Sequence, residues 1–244
     1  MAWLRRAAEA GDQEALTDLG VFYARGEGVG RDFARAESLI RRAAGGGHPP
    51  AMVQLGHLYT QEHVSEPSEG EAMRCYRAAA EAGHLEAQRI LAWNYLNGRG
   101  VARDTATAAL WFRNAAEQGD AGAQFQLAAM YCTGIGVVRN LEEAVKWYRL
   151  SAAEGDRYAQ YNLAVMLLKG QGTPQDAEQA FPWCCQAAAQ GLTEAQLQLG
   201  DLYHVGSGVG KDLALAHAWY EKAAAQGNAE AAAKLQTLRD TRAG

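Results

Sequence analysis

The stretch GSGVGKD at residues 206–212 places three glycines and a lysine within seven positions. Backbone N–H groups in such a run can cradle phosphates, with the lysine adding charge and a following hydroxyl holding magnesium. The match fails at both ends. Val205 stands where the first glycine of a phosphate loop belongs, and Asp212 follows Lys211 in place of Ser or Thr. Other groups capable of chemistry are scattered. His48, His57, His63, His84, His204 and His217 include no His-Glu-x-x-His, and Cys75, Cys132, Cys184 and Cys185 form no Cys-x-x-Cys. Zinc-type ligation therefore has no spacing to build on. No Gly-x-Ser-x-Gly elbow occurs, so a hydrolase has no assignable nucleophile. Glu142 and Glu143 fall early in a capped helix, where they favour the macrodipole without a catalytic role. No catalytic residue, metal ligand or cofactor is assigned, and the expectation is a non-enzyme.

The glycine stretch has a plainer explanation. It returns as GEGVGRD at 26, GRGVARD at 98, GIGVVRN at 134 and GQGTPQD at 170, at multiples of 36. Glycine recurs at 11, 47, 83, 119, 155, 191 and 227, and alanine and leucine follow four and eight residues behind each. Within the copy at 191–226, Ala195, Leu199, Leu202 and Tyr203 make one helical stripe. Gly206 and Gly208 end that helix by turning through positive φ. Asp212 then caps a second helix whose Ala216, Trp219, Tyr220, Ala223 and Ala224 make the facing stripe. The cap slot reads Asp32, Ser68, Asp104, Asn140, Asp176 and Asp212. The chain is a single repeat domain over 1–244. It comprises a partial unit at 1–10, units at 11–46, 47–82, 83–118, 119–154, 155–190 and 191–226, and a C-terminal capping helix within 227–244.

The pattern Ala-x-x-x-Leu-Gly-x-x-Tyr-x-x-Gly-x-Gly-Val-x-x-Asp, then Ala-x-x-Trp-Tyr-x-x-Ala-Ala, runs through 195–224. It resembles the Sel-1-like repeat family, relatives of the tetratricopeptide repeats, over essentially the whole chain. The resemblance implies an all-α, right-handed α/α superhelical solenoid of 36-residue helix-turn-helix repeats. It also implies an adaptor or binding scaffold, in bacteria often serving signalling, host contact or the neutralising of a partner. Secreted members with a disulfide in each repeat keep cysteines in fixed slots; here the four do not recur in register. Two departures stand out. The second unit has Glu62 and Val64 where others have glycine, in a polar loop at 60–70. Pro182 falls inside a predicted second helix and implies a kink or a later helix start there.

The expected function is a non-catalytic scaffold gripping a protein or peptide on its concave face. The alternative is an immunity or inhibitor protein that blocks an effector. In solenoids of this type the first helix of each pair lines the concave face. Its variable slots give Arg89, Trp93, Asn97, Phe125, Tyr158, Tyr161 and Lys169 as candidate partner-binding residues. Aromatics beside arginine are the composition of binding hot spots. The net charge of -5 and pI of 5.7 argue against a general grip on nucleic acid. Glu14, Glu86, Glu194, Asp201 and Glu230 on first helices oppose an RNA-binding solenoid. No apolar run is long enough to span a bilayer. The chain is expected to be a monomer without membrane insertion, and cytoplasmic; a missing N-terminal portion would admit the periplasm or secretion.

Overall fold

The computed structural model describes residues 1–60 and 68–243, with side chains placed through residue 238. The glycine-less loop of the second unit, apart from its flanks, lies outside the described residues. Among the described residues there are fourteen helices and no strand. They fall into two compact units, residues 1–118 and 119–244. In the first are α1 (Ala2–Glu9), α2 (Gln13–Arg25), α3 (Phe33–Gly45), α4 (Pro49–Tyr59), α5 (Glu69–Glu81), α6 (Leu85–Asn97) and α7 (Thr105–Glu117). In the second are α8 (Ala121–Thr133), α9 (Leu141–Ala153), α10 (Arg157–Lys169), α11 (Ala177–Ala189), α12 (Thr193–Val205), α13 (Leu213–Ala225) and α14 (Ala229–Ala243). The architecture is an all-α solenoid. Within each unit, every helix packs against the helices before and after it in the chain.

The alanine and leucine rows read from the sequence are the core. Ala51, Ala87, Ala159, Ala195 and Ala231 are 0% exposed, as are Leu91, Leu127 and Leu163. A second row, Ala36, Ala72, Ala108, Ala144, Ala180 and Ala216, is equally buried on the second helices. Small side chains let backbones approach, and leucine fills the space left between them.

All six cap residues at the second helices accept hydrogen bonds from the first turn of their helix. Caps of this kind contribute about 1 kcal/mol each. First helices use a second cap slot, occupied by Asp12, Asp120, Asp156 and Asn228. His48 and His84 hold that slot in α4 and α6 and make no side-chain cap bond.

The loop at 206–212 is now explained. Gly206 and Ser207 donate their N–H groups to the Leu202 carbonyl, and Asp212 donates to that of Tyr203. The Asp212 carboxylate takes the N–H groups of Ala214 and Leu215. Three of the loop's N–H groups thus serve α12, and its aspartate caps α13. Gly208 adopts φ 69°, and a Cβ there would collide with the Ala177 carbonyl at the start of α11. Glycine is required twice over, by conformation and by contact.

Pro182 does not delay its helix. α11 begins at Ala177, directly after the Asp176 cap, and keeps the same thirteen residues as α9 and α13. Pro182 has no N–H to give the Glu178 carbonyl, and packing carries the helix through.

Candidate partner-binding face

First helices present one face away from the second helices, and its residues are set by what lies beneath them. The slot below is Ile40, Tyr76, Phe112, Tyr148, Cys184 and Tyr220, all buried. Where glycine stands at 56 and 200, a Cβ would strike the rings of Tyr76 and Tyr220. The missing methyl lets the tyrosine lie flat against the helix and reach past it. Each hydroxyl then meets the residue following the glycine. Tyr76 Oη is 3.0 Å from His57 Nδ1, and Tyr220 Oη donates to Asp201 Oδ1 at 2.6 Å. Burial pushes the Tyr76 phenol up to about 12. Tyr220 is raised too, by burial and then by Asp201.

In the first unit, Arg89, Trp93 and Asn97 follow one another at one-turn spacing along α6. Trp93 is 42% exposed, and its ring meets Phe112 edge-on, centroids 5.5 Å apart. It is anchored below and open above. Arg89 is exposed. The Asn97 amide donates back to the Trp93 carbonyl at 2.8 Å, so part of its polarity is used within the helix. Neighbouring His57 Nε2 lies 3.6 Å from Glu86 Oε1.

In the second unit, Phe125, Tyr158, Tyr161 and Lys169 lie on α8 and α10. Phe125 bridges Tyr148 and Tyr158, with centroids at 5.7 and 6.2 Å. Tyr158 is 46% exposed. Arg157, which the sequence did not single out, stacks 4.9 Å from the Tyr158 centroid and donates to its hydroxyl at 3.1 Å. Tyr161 is half-buried, and its phenol is raised by burial and then by Glu194. Lys169 is exposed at the end of α10. The structure thus joins Phe125 to Tyr158 and seats Trp93 on Phe112. The candidates fall on two units, and each group stands by itself.

Among the described residues no group of His, Cys, Asp or Glu could hold a metal ion. No helix there is long and apolar enough to cross a membrane.

The Sel1 repeat family model matches residues 1–12, 13–48, 49–84, 85–120, 121–156, 157–192 and 193–228. The chain belongs to the Sel1 repeat family. The match frames each repeat two residues after the glycine used above. Among solved structures, the chain is similar to a protective antigen of uropathogenic Escherichia coli displaying an SLR fold. That match has 39% identity and a TM-score of 0.90, covering 98% of this chain and 51% of the antigen. It is also similar to a Sel1 repeat protein from Oxalobacter formigenes, at 36% identity and TM-score 0.72, covering 97% of this chain and 68% of that one. The Sel1 chain described here spans about half the length of the antigen. No curated protein matches it closely enough to count as a relative.

Proposed function

We propose that this Sel1 repeat chain is a non-catalytic scaffold that, as a monomer, holds a protein or peptide on its first-helix face. The observation that carries the reading is the exposure of large aromatics there. Trp93 and Tyr158 are 42% and 46% exposed, yet each is fixed by a ring contact to a neighbouring aromatic. A ring already held in place loses little entropy on binding and buries much apolar area, which is how interface anchors work. Arg89 adds charge one turn before Trp93 on α6, and Lys169 adds it at the far end of α10.

The test is capture of partners from the native cell, followed by titration calorimetry on Trp93→Ala and Tyr158→Ala beside thermal melts. A hot-spot residue lowers affinity by about thirtyfold or more while the melt stays put. Unchanged affinity in both variants rejects the reading. Recovery of one effector at one-to-one stoichiometry narrows the scaffold to an inhibitor.

A further inference from the structure

The first-helix face of the second unit carries apolar side chains that the chain leaves partly open. Tyr158 is 46% exposed, and Phe125, Tyr161 and Val165 are half-buried beside it. Beside Tyr161 the charge is acidic, while Arg157 lies over Tyr158 at the start of α10 and Lys169 is exposed at its end. Among the described side chains, α12 and α14 contribute Glu194, Asp201 and Glu230 against one ammonium, Lys234. Lys234 is engaged with Asp201 at 2.7 and 2.8 Å and with Glu230 at 2.9 Å. Glu194 is exposed in the first turn of α12 and forms no ion pair among the described residues.

An aromatic face beside carboxylates is a receptor for cationic side chains. The ring quadrupole and the carboxylate charge attract the same ammonium or guanidinium. The methylene stem meanwhile lies along apolar surface. The chain uses this chemistry on itself, with Arg157 over Tyr158 and Lys222 Nζ 3.9 Å from the Trp219 centroid. An acidic segment would instead set like charges against Glu194 and Glu230, which disfavours it.

We propose that this face takes a partner segment carrying lysine or arginine next to an aliphatic residue. The cation sits between Tyr161 and Glu194, and the aliphatic side chain covers Tyr158 and Phe125. This assignment rests on the scaffold reading and names the chemistry of its partner.

The experiment uses the full chain and three fluorescein-labelled octapeptides, alternating leucine–arginine, leucine–glutamate and serine–arginine, followed by fluorescence polarisation in 150 mM salt. The leucine–arginine peptide should bind at least about tenfold more tightly than either of the others. Glu194→Gln/Glu230→Gln should weaken it about tenfold. Glu142→Gln/Glu178→Gln, the same charge change on second helices, should leave it unaltered. Equal binding of the serine–arginine peptide, or equal loss in the two double variants, reduces the effect to net charge and overturns the proposal. Preferred binding of the leucine–glutamate peptide also overturns it. A natural partner lost on Tyr158→Ala but kept by Glu194→Gln/Glu230→Gln would preserve the scaffold and discard this inference.

Discussion

Cys184 occupies the slot that holds Tyr76, Phe112, Tyr148 and Tyr220 in other repeats, and it is 0% exposed beside the Ala195 carbonyl, 3.4 Å away. Burial pushes its thiol from 9.0 to about 12. Between those values the folded chain keeps a proton that the unfolded chain has released. The stability from burying the neutral thiol is therefore complete below pH 9 and declines as pH rises toward 12. At pH 10.5 the loss amounts to about 2 kcal/mol. Cys184→Ala removes this titration, so the gap in urea midpoint between wild type and variant should shrink from pH 8 to pH 10.5. A constant gap would show that the thiol is not held neutral. At the same scale, the sequence separated the apolar rows correctly but passed over Arg157. Its role comes from the ring of Tyr158 next to it, and spacing within one helix does not reveal which way a guanidinium folds.

Between elements, the least expected contact is a run of buried glutamines. Gln88, Gln160 and Gln196 are 5%, 2% and 6% exposed. Each donates to a carbonyl of the preceding second helix, at Ala80, Ala152 and Ala188, and each accepts from a glutamine thirty residues on, at Gln118, Gln190 and Gln226. The side chain thus ties a first helix to the second helices on both sides. Gln160→Leu keeps the volume but removes its bonds to the Ala152 carbonyl, Gln186 and Gln190, which keep other partners only in part, at a cost of about 0.5–1.5 kcal/mol per bond. Chemical denaturation checks this, with the exposed loop variant Gln171→Leu expected to be near neutral. The recurrence was visible in the sequence, since glutamine stands at 88, 124, 160 and 196 on the same period as the alanines. A polar residue, however, reads as solvent-facing unless its partner is known, and that partner lies a whole helix away. Caps, turns and alanine rows were legible because their causes are local. The later helix start expected at Pro182 is not seen, because packing on both sides of α11 outweighs one missing hydrogen bond.

For the whole molecule, repetition means that each helix pair is stabilised mainly by its neighbours. Leu127 is 0% exposed in α8. Leu127→Ala should destabilise by about 2–5 kcal/mol by leaving a cavity. Hydrogen exchange should quicken first in α8 and α9 and then in α10; an unshifted melt would show that the leucine row is not the core. The same repetition gives the binding face its character. One backbone is held in register by alanine, leucine and glutamine, while the slots above it change from Trp93 to Val165 to Asp201. The turns behave in the opposite sense. In the turns beginning at Gly26, Gly98, Gly134, Gly170 and Gly206, the first N–H groups are taken up by the helix just ended. The side chain between the paired glycines, Glu27, Arg99, Ile135, Gln171 or Ser207, has no part in those bonds. A dye could be attached at any of these five sites without disturbing the helices beside it. A set of such labels, one repeat apart, would show by quenching where along the array a partner comes to rest.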